Sequence, residues 1–562
     1  MILQPILDLV AICAAQGIRQ IVLSPGSRCA PLTLAFARHP EMEVRTISDE
    51  RSAAFIALGM AQQLKQPVVL VCTSGSAALN YYPAIAEAFF QQIPLLVLTA
   101  DRPPEWVDQW DGQTIFQEEV YGKQVKKSFR FPDSFAHPDQ VWGANRIVNE
   151  AIHLSRQFPA GPVHINIPLR EPFYPEVGEV FEFSKHPRTF QVEFPNYPLS
   201  AESLATLKQE LQGKRRILLV PGQQTSDPDL LQVVEALTRT NQVVVVADSI
   251  SNMQGDGSIT LHDHWIGKEA FQDELRPDLL ITFGKSIISK SLKLFLRKQQ
   301  VGHWHIQPDG QAKDTFQSLS RVVACEPLPV LRWMLGEIPT QDSSYFQSWQ
   351  KMESRVSDAL PKLLREVEFG EYGALATVLD RTPSSSLIHV ANSMAVRYLN
   401  FMGRRTQEIC CNRGTSGIDG SSSTAVGAAF VRKGLVTLIT GDMAFFYDRN
   451  AFWHNYPLSN LRIILLNNHA GGIFRLIEGP SKQPELEEFF ETQQALTAAH
   501  LAAEYGFGYD LVKNAQDLDQ TLATFFEESA APKILEIESG STENEAVLKD
   551  VKEKIILALA RS

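Results

Sequence analysis

Two short apolar stretches, residues 435–440 and 461–466, constrain this chain more than any other feature. The first stops at Gly441-Asp442 and the second at Asn467-Asn468, with a helical segment carrying Phe445, Phe446, Phe452 and Trp453 between them. Apolar runs of this length joined by a helical crossover form the parallel strands of a βαβ unit. Both polar termini then fall at the carboxyl edge of one sheet, where open α/β sheets bind ligands. A carboxylate from Asp442 beside an amide oxygen from Asn468 makes a pair of hard ligands suited to Mg²⁺, which completes its shell with phosphate oxygens and water. Gly441, Gly471 and Gly472 let backbone come close to a diphosphate. Either dipeptide alone is an ordinary strand terminus. The two together, at this spacing in one βαβ unit, point to a metal and a phosphorylated ligand.

The same alternation runs through the rest of the chain. From Arg19 onward, strands ending in polar turns (IVLSPGSR, PVVLVCTSGS, PLLVLTADRPPE) alternate with helices, which predicts a doubly wound parallel sheet over residues 1–180. Glu50 falls in the first turn of a helix opened by Ser48 or Asp49. The Pro-rich stretch near 180–205 is expected to be a linker. Four buried strands (RRILLVPGQQ, QVVVVADS, PDLLITFGKSI, HWHIQP) then predict a smaller α/β domain over 200–340, without the glycine fingerprint of a dinucleotide site. His303 and His305 alternate on one strand face and are expected to be packing residues. A polar helical connector from Asp342 leads to the last domain, 345–562. The fold class is therefore α/β, with three doubly wound parallel-sheet domains.

At 562 residues the chain exceeds a single core. A net charge of −12 argues against a general nucleic-acid surface. No apolar run approaches the length of a membrane span, so no membrane insertion is expected. The opening MILQPILDLVAICAAQG contains Asp8, lacks a basic start and reads as an amphipathic first helix rather than a signal peptide. Six cysteines without CxxC spacing suit reduced thiols in the cytoplasm.

The Gly-Asp and Asn-Asn pair resembles the signature of thiamine-diphosphate (ThDP) enzymes, in which GDG is followed some two dozen residues later by NN. Here Met443 stands where the third signature residue is usually Gly. The resemblance implies ThDP with Mg²⁺ or Mn²⁺ as cofactors, and a metal held by Asp442, Asn468 and the backbone of Ala470. It also implies Glu50 as the carboxylate that bonds N1′ of the aminopyrimidine and promotes loss of the C2 proton. Burial beside an apolar ring raises a carboxyl pKa, which suits such proton exchange.

Longer motifs are more specific. LSPGSRxxPLTLA, LTADRPPE, NSxxVR and NRGxSGIDGxxSTAxG are all present and resemble the 2-succinyl-5-enolpyruvyl-6-hydroxy-3-cyclohexene-1-carboxylate (SEPHCHC) synthases of menaquinone biosynthesis. The resemblance covers the whole chain. It implies substrate contacts from Ser27, Arg28, Arg102, Gln113, Lys290, Ser393, Arg397, Arg413 and Phe474. Ser416, Gly417, Gly441, Met443 and Ile473 would line the cofactor, and Ile418 would be the bulky wedge that bends it. Family members often carry Arg after the lysine, whereas this chain has Ser291.

Guanidinium groups pair bidentately with carboxylates, so several arginines around one cofactor suit dianions. The implied substrates are 2-oxoglutarate and isochorismate: the first loses CO₂ and its succinyl unit adds to the ring of the second. Family precedent places Glu50 and the metal residues on different subunits, implying a homodimer or homotetramer with active sites between subunits. Two alternatives stand beside this. Another ThDP carboligase, such as an acetohydroxyacid synthase, predicts pyruvate turnover and often a flavin, for which no fingerprint is visible. A non-catalytic α/β protein binding a nucleotide or anion predicts no joint stabilisation by ThDP and Mg²⁺.

Overall fold

The computed structural model describes residues 4–193, 199–339 and 342–560. Residues 194–198 of the expected linker lie outside the described residues. Three open sheets follow one another along the chain, and every pairing between their strands is parallel.

The first sheet contains β1 (Gln20–Leu23), β2 (Glu43–Thr46), β3 (Val68–Cys72), β4 (Leu95–Asp101), β5 (Ser128–Arg130) and β6 (Pro162–Pro168), ordered β2-β1-β3-β4-β6-β5. The middle sheet contains β7 (Ile217–Pro221), β8 (Val243–Val245), β9 (Leu279–Phe283), β10 (Gly302–Ile306) and β11 (Leu319–Val323), ordered β11-β10-β9-β7-β8. The last sheet contains β12 (Leu387–Val390), β13 (Ile409–Cys410), β14 (Val436–Gly441), β15 (Leu461–Asn467), β16 (Gly508–Val512) and β17 (Lys533–Glu538), ordered β13-β12-β14-β15-β17-β16. Counted from its own first strand, the last sheet repeats the order of the first. The strands β3, β4 and β15 are buried along their whole length. Helices cover both faces of such strands, which is why they read as continuous apolar runs.

The structure departs from the sequence expectations at three places. The middle sheet has a fifth strand, β11, whose residues are half-exposed at the sheet edge, so its sequence carries no apolar run. The helix Gln4–Ala15 is not amphipathic in place: Ile6 to Ala14 are buried except Asp8. It packs against both Ala30–Arg38 and Pro138–Arg156, so two neighbours cover what periodicity assigns to one. The segment after Asp442 is a short helix, Asp442–Tyr447, followed by a separate 3₁₀ turn, Arg449–Phe452.

The helix Glu50–Leu64 is capped by Asp49, whose Oδ1 accepts the Ser52 N–H at 3.2 Å, and not by Ser48. It crosses the helix Ser421–Val431 of the last domain, joining the first and last domains. The connector helix Ser344–Glu366 sets Trp349 edge-on against Trp265 and Phe295 of the middle domain, and also packs along Ser541–Ala560.

Candidate active site

β14 and β15 are neighbours, with Gly441 opposite Leu466, so Asp442, directly after β14, and Asn468, directly after β15, emerge at one carboxyl edge. A cavity of about 290 Å³ opens there. Its walls include Asp442, Asn468, Ala470, Ile473, Ile418 and Ser393, and Gly441, Met443 and Phe474 complete the predicted set that faces it. Asp442 is buried, and its Oδ2 accepts the Gln494 side-chain amide at 2.7 Å. Asn468 Nδ2 donates to Glu371 Oε1 at 2.8 Å, which fixes Oδ1 as the other end of the amide; that oxygen accepts the Ala470 N–H at 3.0 Å.

Neither Glu371 nor Gln494 carries a local sequence signal, yet each holds one member of the predicted metal pair. Burial, with Asp442 nearby, pushes the Glu371 carboxyl up to about 7. Burial also pushes Asp442 up to about 6, against the hydrogen bond from Gln494. Two buried carboxyls that resist ionisation are what a divalent cation relieves, since the ion is the largest charge in its site. The donor set is all oxygen: the Asp442 carboxylate, the Asn468 amide oxygen and the adjacent main chain of Ala470. That set fits Mg²⁺ or Mn²⁺. A Cβ built on Gly441 meets no atom within 4 Å, so the backbone at the end of β14 borders open space wide enough for a ligand to approach. The residues present therefore fit a metal-bound diphosphate.

The loop from Asn412 to Ile418 is bound from two sides. Asn392, just after β12, donates to the Asn412 carbonyl at 2.6 Å and the Gly417 carbonyl at 2.7 Å, and accepts Arg413 Nη1 at 3.0 Å. From the first domain, Glu87 accepts the Gly414 N–H at 2.7 Å and both the Thr415 N–H and hydroxyl at 2.6 Å. Ser416 holds a left-handed backbone, φ 63°, beside Gly417. Ile418 faces the cavity and stays exposed, as an apolar group awaiting a partner does. Arg397 donates to the Ser393 carbonyl at 2.7 Å, so both arginines hang from the turn after β12.

Burial and then Arg413 lower the Arg397 pKa. Lys293 is lowered by burial and then by Arg413, with Arg397 also contributing. Lys290, the residue singled out by sequence, is exposed in the first turn of the helix Lys290–Gln299. Lys293 lies one turn along the same helix, half-buried and within the field of both arginines. It is the lysine that the sequence motif did not single out.

The first-domain residues gather at the carboxyl edge of their own sheet. Ser27 and Arg28 follow β1, Glu50 follows β2, and Arg102 follows β4. The turns pack on one another: a Cβ on Gly26 would overlap Thr73, and one on Gly75 would lie 3.4 Å from Gln113. Arg28 is buried, stacks 4.4 Å from the Phe173 ring and donates to the Leu169 carbonyl at 2.8 Å. Arg102 donates to the Gly112 carbonyl at 2.8 Å and lies 3.3 Å from Asp111. Ser27, Arg28, Glu50, Arg102 and Gln113 are not among the residues lining the Asp442 cavity. One chain thus carries two groups of predicted site residues, each at the edge of a different sheet. His303 and His305 of β10 both hydrogen-bond Thr282 Oγ1, at 2.8 Å each, as packing residues do.

Paired sheets of one topology around a middle domain, with a metal-type edge on the last, define a thiamine-diphosphate enzyme. Residues 8–126 match the family described as thiamine pyrophosphate enzyme, N-terminal TPP binding domain; residues 205–388 match the middle domain of thiamine pyrophosphate; and residues 391–537 match the C-terminal TPP binding domain. The chain is similar to proteins named 2-succinyl-5-enolpyruvyl-6-hydroxy-3-cyclohexene-1-carboxylate synthase: 46% identical to that of Cytophaga hutchinsonii over 98% of this chain and 99% of the relative. Identity is 39% to that of Flavobacterium johnsoniae, over 96% of this chain and 97% of the relative, and 36% to that of Porphyromonas gingivalis, over 95% and 94%. The chain belongs to this SEPHCHC synthase family.

Proposed function

We propose that this protein joins the succinyl unit of 2-oxoglutarate to isochorismate, with release of CO₂, in menaquinone biosynthesis. The observation that supports these substrates most directly is the group of Lys293, Arg397 and Arg413, in which burial and then Arg413 lower the pKa of the other two; Arg397 and Arg413 hydrogen-bond Ser393 and Asn392 of the Asp442 cavity wall. Three like charges held close raise one another's energy, and bound carboxylates relieve that cost. Both substrates are dianions, and Arg28 and Arg102 in the first-domain group add to the cationic lining.

In this reading Asp442, Asn468 and the main chain at Ala470 hold Mg²⁺ or Mn²⁺ and, through it, the diphosphate of ThDP. Bound ThDP supplies the electron sink for the decarboxylation. Ile418 would present an apolar surface to the bound cofactor. Glu50 of a second subunit reaches the aminopyrimidine and accepts or returns the proton at N1′. Glu50 does not line the Asp442 cavity of its own chain, which supports a homodimer as the smallest working unit. Six buried free thiols suit a reducing cytoplasm.

The test is disappearance of isochorismate when 2-oxoglutarate, ThDP and Mg²⁺ are all supplied, with Glu50→Gln in parallel. Loss that needs all three and falls by orders of magnitude in the variant is the expected result. If isochorismate persists while 2-oxo acids still release CO₂, the substrate assignment fails and the cofactor assignment stands. A fully active monomer by light scattering would remove the shared-site arrangement.

A further inference from the structure

We propose that Glu371 is a positioning residue for the metal: it clamps the Asn468 side chain so that Oδ1, rather than the NH₂ group, faces the cation. The inference rests on the assignment of Asp442 and Asn468 as metal ligands.

An asparagine amide has an acceptor end and a donor end of nearly equal size, and rotation by half a turn exchanges them. A cation tolerates the oxygen and is repelled by the NH₂ group. Something must therefore fix the rotation before the metal arrives. Glu371 Oε1 does so by accepting Nδ2 at 2.8 Å, a contact that the flipped amide would turn into an oxygen facing an oxygen. The Ala470 N–H, donating to Oδ1 at 3.0 Å, agrees with the same orientation.

Glu371 is itself held. It is 2% exposed and opens the helix Glu371–Arg381, and its own N–H donates to Asn544 Oδ1 at 2.9 Å. Its carboxyl also hydrogen-bonds the Tyr398 side chain. The Asn544 Nδ2 donates to Ser539 Oγ at 2.9 Å, just beyond the end of β17. The clamp is thus built from the start of one helix, the end of a third strand and the first turn of the C-terminal helix. Asp442 has a simpler counterpart in Gln494, whose side-chain amide donates to Oδ2. Partners of this kind orient metal ligands, and losing one typically costs about 10–100-fold in metal affinity.

The experiment compares Mn²⁺ binding to the ThDP-loaded protein, read from the electron paramagnetic resonance signal of free Mn²⁺, for wild type, Glu371→Gln and Glu371→Met. Glutamine keeps an acceptor for Nδ2. Methionine keeps the length and volume but has none, and it removes the buried carboxyl without leaving a cavity. The expected result is affinity within about threefold of wild type for the glutamine variant and a loss of about 10–100-fold for methionine. Equal affinity in all three, or equal loss in both variants, would overturn the clamp. Wild-type protein that binds no Mn²⁺ in the presence of ThDP would instead overturn the metal site itself.

Discussion

Gly59 and Gly427 lie against each other's helices. A Cβ on Gly59 would overlap the Thr424 carbonyl oxygen, and a Cβ on Gly427 would overlap that of Ile56. The helix that presents Glu50 is therefore seated backbone-to-backbone on the helix that leaves the NRGTSGI loop. These two contacts tie the first domain to the last.

Gly427→Ala should lower stability by about 3 kcal/mol or more, because the obstructing atom is backbone and cannot rotate away. The same holds for Gly59→Ala. The apparent melting temperature of the purified variants checks this; a midpoint within a degree of wild type would mean the helices separate freely.

Glu87 spans from the first domain to the loop from Asn412 to Ile418, and its carboxylate also accepts Gln91 Nε2 at 2.6 Å. Glu87→Ala would remove the acceptor of the part-buried Gly414 and Thr415 N–H groups, at about 1.5–3 kcal/mol for a hydrogen bond to a charged group. Calorimetric titration with ThDP and Mg²⁺ should show at least tenfold weaker binding in this variant. Unchanged affinity would show that the loop keeps its shape without this anchor.

Lys293→Ala should reduce kcat/KM about 10–100-fold, the worth of one charge-assisted hydrogen bond to a carboxylate. Its ThDP affinity should not change. Lys290→Ala should have the smaller effect, since that side chain is exposed. Steady-state kinetics on the two variants decide between the lysines, and the reverse order would favour Lys290 as the substrate lysine.

His164 is buried between Thr99 Oγ1 at 2.7 Å and Ser128 Oγ at 2.8 Å, and burial pulls its pKa down to about 3. The folded protein keeps it neutral, whereas the unfolded chain protonates it below about 6.5. The unfolded state therefore gains protons that the folded state cannot, and stability falls as pH drops from 6.5 towards 3. The slope is about 1.4 kcal/mol per pH unit for this one group. His164→Gln should flatten the decline of the apparent melting temperature between pH 7 and 5. An unchanged decline would place the acid sensitivity elsewhere, for example in His264 or His389, which burial also lowers.

The sequence by itself determined the parallel α/β class, the strands β14 and β15 and the placing of Asp442 and Asn468 at one edge. All of these rest on local regularities: apolar runs, the polar residues that stop them, and the crossover length that forces parallel pairing. Only the tertiary structure decided that Glu371 and Gln494 hold those two side chains, that Glu87 and Asn392 bind the loop from Asn412 to Ile418, and that Lys293 lies within the field of the arginines. Each of these contacts joins segments far apart in the chain, or selects one turn of a helix over the next. A hydrogen-bond partner of that kind leaves no periodic trace. Burial of the first helix on nearly every side had the same cause: periodicity shows that one face is apolar, and the packing of a second neighbour decides whether the other face is covered as well.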